Sequence, residues 1–216
     1  ALDTTAKRWA EVTKSVIWQA YGLTETSPLV SVNDYKQTEF TGSVGLPAAY
    51  TEIEIRDESG NALSETNAVG ELCVRGPQVM SGYWKSEVSG LDENNWFMTG
   101  DIARIDETGN IFIVDRKKDM IIVSGFNVFP NEVEAVVNEH PAVLECGCVG
   151  VEGENSQELV KVFIVLHDGQ TATEDEIISF CREKLTAYKV PKHIEFIKEI
   201  PKTNVGKVLR RELKEN

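Results

Sequence analysis

The chain has 216 residues, of which 41% are hydrophobic, a length and composition that fit one large or two small domains with a buried core. Its 35 acidic residues outnumber its 22 basic residues, and the net charge of -13 argues against a nucleic-acid partner because both would be anionic. No run of about 18 apolar residues is present, and the first residues lack the charged-then-apolar plan of a signal peptide. We therefore expect a water-soluble, cytoplasmic protein.

In chain order, the first half predicts one helix, one short strand and then a β-rich unit. The segment LDTTAKRWAEV repeats apolar residues at helical spacing, whereas Val16–Trp18 is typical of a short buried strand that leads into a YGLTETSP loop. From Gly42 to Asp115, short alternating runs are separated by turn residues. Four of these runs predict strands, at 51–56, 70–75, 100–105 and 110–114. This pattern indicates a small β-barrel or sandwich.

The second half alternates strands and helices and predicts a compact α+β unit. We expect strands at 120–123, 143–151, 159–166 and 194–197, a turn at 125–127, and helices after Pro130, after Thr173 and over 208–214. Thr173 and Glu176 form a capping box that opens the second of these helices. The boundary lies near 115–118, so that we expect one domain over 1–117 and another over 118–216.

The cysteines and histidines predict neither a disulfide framework nor a metal site. The four cysteines lie inside apolar runs, at Cys73, Cys146, Cys148 and Cys181. No histidine pair stands at zinc-ligand spacing from them, so we expect reduced, packed thiols. Basic residues gather near the C-terminus, where they would either attract small anions or form a solvated helix face.

Two segments in the first half carry residue types that suit nucleotide binding. In YGLTET, the ring of Tyr21 can stack on a base, a threonine hydroxyl can donate to a phosphate oxygen, and Glu25 can hold a hard cation such as Mg²⁺. In TGD, Asp101 follows a tight turn, from which a carboxylate can accept both hydroxyls of a ribose. Taken alone, each pattern favours a polar turn.

Two further segments place cations near the ends of predicted elements. DRKKD concentrates three cations between two strands, either as a solvated turn or with Arg116 at a nucleotide and Lys118 as a backbone pivot. PKTNVGKVLRREL sets Lys207 beside Gly206 in a loop that can move and present an ammonium to developing negative charge. No G-x-x-x-x-G-K-[ST] surrounds Gly206, so the segment is not a Walker loop.

All four segments, together with GELCVRGPQVMSGYW (70–84) and VSGFNVFPNEVE (123–134), resemble the acyl-CoA synthetase branch of the adenylate-forming enzymes. The similarity covers essentially the whole chain, its motifs are highly specific, and it is strongest to bacterial long-chain fatty acid CoA ligases. The resemblance implies an α+β fold: the β-barrel-like end of a large N-terminal domain, then a small mobile C-terminal domain with the catalytic lysine. It implies a long-chain fatty acid, ATP and CoA as substrates, with Mg²⁺.

The resemblance also assigns roles to the YGLTET residues. Tyr21 would stack on adenine. Gly22 and Leu23 would lie beside the acyl carboxylate. Thr24 would touch the α-phosphate, and Glu25 would hold Mg²⁺.

The remaining motif residues receive roles in the same way. Asp101 would take the ribose hydroxyls with help from Arg116. Lys118 would be the hinge between the two domains, and Gly125 would line the channel for the pantetheine arm. Lys207 would bridge the carboxylate, the α-phosphate and the ribose oxygen in the first half-reaction.

One departure from the family is large. The Ser/Thr/Gly-rich phosphate-binding loop that ends in Pro-Lys-Gly is not found in these residues, and the chain begins at Ala1 without a methionine. We therefore expect the C-terminal portion of a longer enzyme, inactive as a ligase by itself. Chain-length preference, oligomeric state and peripheral association of the parent enzyme with a membrane surface stay open.

Two other functions stay open beside the CoA ligase. A fatty-acyl-AMP ligase that delivers the acyl group to a carrier protein would share most of these motifs and differ in the acceptor. A non-catalytic docking module would use the second unit to bind a partner, although the density of motifs argues against it.

Overall fold

The computed structural model describes residues 3–86, 89–153, 157–204 and 206–215. Contacts between Cα atoms divide the chain into two compact units, residues 1–117 and 118–216. Across the described residues, every helix is too short or too polar to cross a membrane. The α+β class is confirmed, since both helices and several sheets are present.

The first unit is built almost entirely from antiparallel strands. Its elements are α1 (Asp3–Thr13), β1 (Ala20–Gly22), β2 (Leu29–Val32), β3 (Leu46–Pro47), β4 (Glu52–Arg56), β5 (Gly70–Arg75), β6 (Phe97–Ile105) and β7 (Ile111–Arg116). They form a three-stranded sheet in the order β1-β2-β3 and a four-stranded sheet in the order β4-β5-β6-β7. In the described part of this unit the two sheets are open, so the β-rich character is confirmed without a closed barrel.

The core of the first unit is the shared apolar face of these strands. Alternate residues of β4 to β7 point inward and meet one buried residue of β2. The buried members of this cluster are Val30, Ile55, Leu72, Val74, Ala103 and Ile111. The tight turn at 106–110 joins β6 to β7 and sets their register, and the turn at 57–61 directly follows β4. The four predicted strands agree with β4 to β7.

The prediction of a buried strand at Val16–Trp18 is wrong. These residues have no regular structure, Trp18 is 55% exposed, and the first strand, Ala20–Gly22, starts just before the segment that was expected to be a loop and extends into it. The strand forms there because Tyr21 pairs with Ser31 of β2. A short apolar run is not sufficient for a strand when no partner strand lies beside it.

The second unit is a three-stranded sheet with helices and a hairpin. Its elements are β8 (Ile121–Val123), β9 (Phe126–Val128), α2 (Pro130–Val137), β10 (Val143–Glu152), β11 (Glu158–Leu166), α3 (Glu174–Arg182), β12 (His193–Phe196) and α4 (Arg210–Lys214). The sheet order is β10-β11-β12, antiparallel between β10 and β11 and parallel between β11 and β12. Strands β8 and β9 pair with each other in a two-stranded sheet.

Both faces of the central strand β11 are buried. Val162 and Ile164 join the larger cluster, which includes residues of α2 and α3, whereas Phe163 and Val165 join a smaller cluster with Leu213 of α4. Successive side chains of a strand point to opposite faces, so one strand contributes to both clusters. This explains why β11 is a continuous apolar run in the sequence.

Two details of the second unit differ from expectation and one agrees. The predicted turn at 125–127 is mostly strand, because Phe126 and Asn127 pair with Val123 and Ile122. The last helix begins at Arg210, two residues later than expected, since Val208 still bridges to Lys202. The capping box is confirmed.

The cysteines are packed as expected. All four are free and buried. Burial raises the pKa of the Cys73 thiol and of the Cys181 thiol to about 11, so both are neutral at physiological pH.

Candidate functional site

An open cleft of about 580 Å³ in the first unit is lined by five of the ten predicted site residues. It is lined by Gly22, Leu23, Thr24, Glu25, Pro28, Glu71, Tyr83, Phe97, Met98, Thr99, Gly100 and Arg116. The structure therefore brings YGLTET, TGD and the start of DRKKD together at one place, although they are far apart in sequence. Polar groups dominate its lining, which suits a charged small molecule better than an apolar one.

The TGD segment is a bulge in the sheet. Between β5 and β6 the register passes from Glu71 opposite Ile102 to Cys73 opposite Met98, so that two steps along β5 correspond to four along β6. The Thr99 hydroxyl donates to the Leu72 carbonyl oxygen at 2.8 Å, so that a side chain partners this carbonyl at the bulge. A bulge bends the strand and turns its side chains, which is a frequent arrangement next to binding sites.

Asp101 lies at the centre of a buried polar group beside this cleft. It is 3% exposed, and its Oδ2 accepts a hydrogen bond of 2.6 Å from the Tyr21 hydroxyl. Its Oδ1 lies 2.7 Å from Nε of Arg116, the residue directly opposite it in the β6–β7 ladder. Both carboxylate oxygens are thus partnered, and the Arg116 side chain, which is 50% exposed, is the partner that can move aside for a ligand.

Tyr21 is fixed by the same group. Burial raises the pKa of the Tyr21 hydroxyl well above its usual range, and the hydrogen bond to Asp101 and the charge of Asp101 raise it further. The hydroxyl therefore stays protonated and donates to Asp101. Next to it in the chain, Gly22 passes so close to Pro28 that an added Cβ would lie 1.6 Å from the Pro28 carbonyl oxygen, so only glycine fits there.

Thr24 and Glu25 lie in a short 3-10 turn, Thr24–Thr26, on the rim of the cleft. The turn is held by the buried Thr26 hydroxyl, which accepts from the Leu23 amide at 3.0 Å and donates to the Pro28 carbonyl at 2.9 Å. Glu25 Oε1 accepts from the Tyr83 hydroxyl at 3.0 Å, a contact that raises the pKa of Tyr83.

The residues present fit a divalent cation only in part. No group of three or more His, Cys, Asp or Glu side chains that could hold a metal ion occurs among the described residues. Glu25 contributes one carboxylate to the cleft, next to the hydroxyl of Thr24. Mg²⁺ commonly takes one or two carboxylates and fills its remaining positions with substrate phosphates and water, so one carboxylate is compatible with such a site.

Three predicted site residues belong to the second unit. Lys118 is exposed and is the first residue of that unit, within a 3-10 turn, Lys117–Asp119. Gly125 is exposed in the tight turn of the β8–β9 hairpin. Lys207 is exposed, and its backbone is held by Thr203, whose hydroxyl accepts from the Lys207 amide at 3.1 Å.

The sequence did not indicate Glu71 and Tyr83, which also line the cleft. Tyr83 contacts Glu25, as described above. The Glu71 side chain is 10% exposed and lies 2.7 Å from Nζ of Lys117. One signal was available for Glu71, because it is the one acidic residue inside the otherwise apolar run ELCV of a buried strand.

Two protein-family models match the chain in sequence. The model for the AMP-binding enzyme matches residues 2–84, and the model for the AMP-binding enzyme C-terminal domain matches residues 132–207. The second match ends at Lys207.

Among curated proteins, the chain is similar to long-chain-fatty-acid–CoA ligases. It is 52% identical to that of Escherichia coli O157:H7 over 97% of this chain and 37% of the relative. It is 50% identical to that of Salmonella typhimurium LT2 over 99% of this chain and 38% of the relative. The chain thus spans less than two fifths of the length of these two curated relatives.

Two solved structures are also similar to this chain. ATP-bound MatB from Rhodopseudomonas palustris matches with a TM-score of 0.94 and 31% identity, over 99% of this chain and 43% of that one. The o-succinylbenzoate CoA synthetase MenE from Bacillus subtilis, in complex with the acyl-adenylate intermediate OSB-AMP, matches with a TM-score of 0.85 and 32% identity, over 100% of this chain and 44% of that one.

Proposed function

This chain belongs to the AMP-binding enzymes, and we propose that the protein of which it is part is an ATP-dependent, AMP-forming long-chain fatty acid CoA ligase. The observation that carries the proposal is the hydrogen-bonded group of Tyr21, buried Asp101 and half-exposed Arg116 beside the cleft that Thr24 and Glu25 line. Identities of 50% or more to curated long-chain-fatty-acid–CoA ligases support the substrate class.

The reaction has two steps. A carboxylate oxygen of the fatty acid attacks the α-phosphorus of ATP, forming acyl-AMP, and pyrophosphate leaves with the electrons of the broken P–O bond. The CoA thiol then loses its proton and attacks the acyl carbon, and AMP leaves as the thioester forms. Negative charge develops on phosphate oxygens in the first step, so a cation delivered there stabilises the transition state.

The nucleoside would be held by Asp101, Arg116 and Tyr21. Asp101 accepts hydrogen bonds from the ribose hydroxyls. Its half-exposed partner Arg116 either turns aside for the ribose or donates a hydrogen bond to it. Because the carboxylate is already aligned by buried hydrogen bonds, little reorganisation is needed on binding. The Tyr21 ring provides the apolar face on which adenine stacks, while its hydroxyl stays on Asp101.

The phosphate and carboxylate would lie at the 3-10 turn. The Thr24 hydroxyl donates to an α-phosphate oxygen, and the backbone at Gly22 and Leu23 borders the acyl carboxylate. Glu25 would hold Mg²⁺, which would supply positive charge to the phosphates when bound. The Tyr83 hydroxyl keeps the Glu25 carboxylate in place at 3.0 Å.

The second unit would supply a different group to each step. Lys207 delivers its ammonium to the α-phosphate and carboxylate during adenylation. Rotation about Lys118 then withdraws Lys207 and brings the Gly125 turn to the channel of the pantetheine arm. Support comes from the exposure of all three residues and from the division of the chain directly before Lys118.

These 216 residues would not act as a ligase by themselves. The chain covers only 37% of the length of the Escherichia coli relative, and the Ser/Thr/Gly-rich phosphate loop is not found in its sequence. We expect the purified chain to release no AMP from ATP and palmitate, and steady AMP release would contradict this expectation.

The test of the function uses the complete enzyme with palmitate, ATP, Mg²⁺ and CoA. The proposal predicts AMP and palmitoyl-CoA in equal amounts, with acetate as a poor substrate. Acyl-AMP that is consumed only when a carrier protein replaces CoA would show the alternative ligase. Absence of AMP with any acid, together with partner binding that depends on Lys207, would show the docking module.

A further inference from the structure

Glu71 is a buried carboxylate with two partners. It lies on β5 and is 8% exposed. Its Oε1 accepts from the Gly100 amide at 3.1 Å, and its Oε2 accepts from Nζ of Lys117 at 2.7 Å. A buried carboxylate is costly unless hydrogen bonds and an opposite charge offset its lost hydration, and Glu71 has both.

The two partners of Glu71 flank the proposed ribose site. Gly100 directly precedes Asp101 on β6, and Lys117 directly follows Arg116 on β7. Asp101 and Arg116 are opposite each other in the ladder. One carboxylate on β5 therefore binds both neighbouring segments, each at one residue from the Asp101–Arg116 pair.

The bulge explains why a side chain is needed at this point. Because the ladder between β5 and β6 skips from Ile102 to Met98, the Gly100 amide has no place in the regular pairing. Glu71 supplies the acceptor instead. Gly100 takes a φ of +71°, a conformation that side chains with a Cβ rarely adopt. The carboxylate thus fixes a backbone turn that directs Asp101 toward Tyr21 and Arg116.

We infer that Glu71 is a positioning residue for the ribose hydroxyls: it acts through the TGD bulge and Lys117 to hold Asp101 and Arg116. The inference rests on the proposed function, since it requires Asp101 to bind ribose. It also explains why an acidic residue interrupts an otherwise apolar buried strand.

The test compares two nucleotides in the complete enzyme. Acyl-AMP formation from palmitate is measured with ATP and with 2′,3′-dideoxy-ATP, which lacks both hydroxyls, for the wild type, Glu71→Gln and Glu71→Met. The first variant keeps one acceptor oxygen, and the second keeps none at similar volume. Glu52→Met is the matched control, because Glu52 is exposed on β4 and pairs with Arg75 away from the cleft.

Glu71→Met should lower kcat/KM for ATP roughly tenfold, the size expected for losing a hydrogen bond to a charged group. The value for 2′,3′-dideoxy-ATP should be unchanged, so that the preference for ATP over 2′,3′-dideoxy-ATP falls by the same factor. Glu71→Gln should lie between the wild type and Glu71→Met, and Glu52→Met should keep the wild-type preference. Thermal melting checks that each variant is folded; if Glu71→Met is not, Lys117→Met and Glu71→Gln carry the comparison.

An equal loss with both nucleotides would overturn the inference, because a purely structural role lowers both alike. A wild type that makes acyl-AMP equally well from both nucleotides would overturn it too, since Asp101 would then not bind the ribose hydroxyls. A wild type that makes no acyl-AMP at all would instead refute the proposed function, and the inference with it.

Discussion

The two units differ in how far their key polar side chains are buried and held by neighbouring residues. In the first unit, the Asp101 side chain is 4% exposed and both of its oxygens have partners, Tyr21 and Arg116. In the second unit, Lys207 is exposed, and Thr203 holds its backbone amide. A group that must recognise a ligand gains from being fixed beforehand, whereas a group that must arrive for one step and leave for the next gains from being free.

The largest expected effect comes from removing the exposed ammonium group of Lys207. Lys207→Ala in the complete enzyme should slow acyl-AMP formation on the order of 10²–10³-fold, because such a loss is typical when one charge-stabilising group is deleted. Thioester formation from supplied acyl-AMP and CoA should keep nearly the wild-type rate. Single-turnover measurements of the two steps check this difference.

Lys202→Ala is the matched control for Lys207→Ala. Lys202 lies in the same short hairpin but forms an ion pair with Glu145. Exposed ion pairs contribute little, so both steps should be unchanged in this variant. Equal losses of both steps in Lys207→Ala would show that the lysine does not act in the first step only.

The next expected effect concerns the residue at which the second unit begins. Lys118→Pro restricts the backbone at this position and should slow thioester formation roughly 10²-fold, the cost of a misplaced reacting group, while slowing adenylation less. Lys118→Ala keeps the backbone freedom and should leave both steps near wild type. If the proline variant makes thioester at the normal rate, Lys118 is not the hinge.

A smaller effect sharpens the description of the fixed site. The pKa of Tyr21 is raised by burial and by Asp101, so the hydroxyl should remain protonated at pH values where an ordinary tyrosine, with a pKa near 10, ionises. Any stability that depends on this proton is present below pH 10 and is lost only as the pH rises through the higher folded value. Tyrosinate absorbance should therefore be the same for wild type and Tyr21→Phe up to about pH 10.5. A difference with a midpoint near pH 10 would contradict the buried hydrogen bond.

The smallest expected effect concerns the thiols. With the pKa of Cys73 and of Cys181 raised to about 11, the thiolate fraction at pH 8 is very small. The native chain should react slowly with a thiol reagent, whereas the unfolded chain should react at once with four equivalents of the reagent, one for each cysteine. Fast labelling of the native form would show that the core around these residues opens readily.

Much of the fold was predictable because local signals and tertiary pairing agree. The turn clusters at 57–61 and 107–110 and the capping box at Thr173 fix element ends through short-range hydrogen bonds, which sequence shows directly. The strand predicted at Val16–Trp18 was wrong because a strand needs a partner strand beside it. The available partner, β2, pairs with Tyr21 and its neighbours instead. The turn predicted at 125–127 is mostly strand for a local reason, since the chain reverses within fewer residues and Phe126 already pairs with Val123.

The candidate site was predictable to a similar degree. Five predicted residues line one cleft, Gly22, Leu23, Thr24, Glu25 and Arg116, and Asp101 lies directly beside it. The contribution of Glu71 was not visible, because it depends on a register jump between β5 and β6 that leaves the Gly100 amide to a side chain. Only the paired strands show which carboxylate takes that role.

The central claim is that the Asp101 group holds ATP while a fatty acid is adenylated. The most direct measurement is the exchange of labelled pyrophosphate into ATP by the complete enzyme, without CoA. We expect exchange that requires palmitate and Mg²⁺ and that Asp101→Asn abolishes at low ATP concentration. Exchange without palmitate, or exchange at the wild-type rate in Asp101→Asn, would contradict the account.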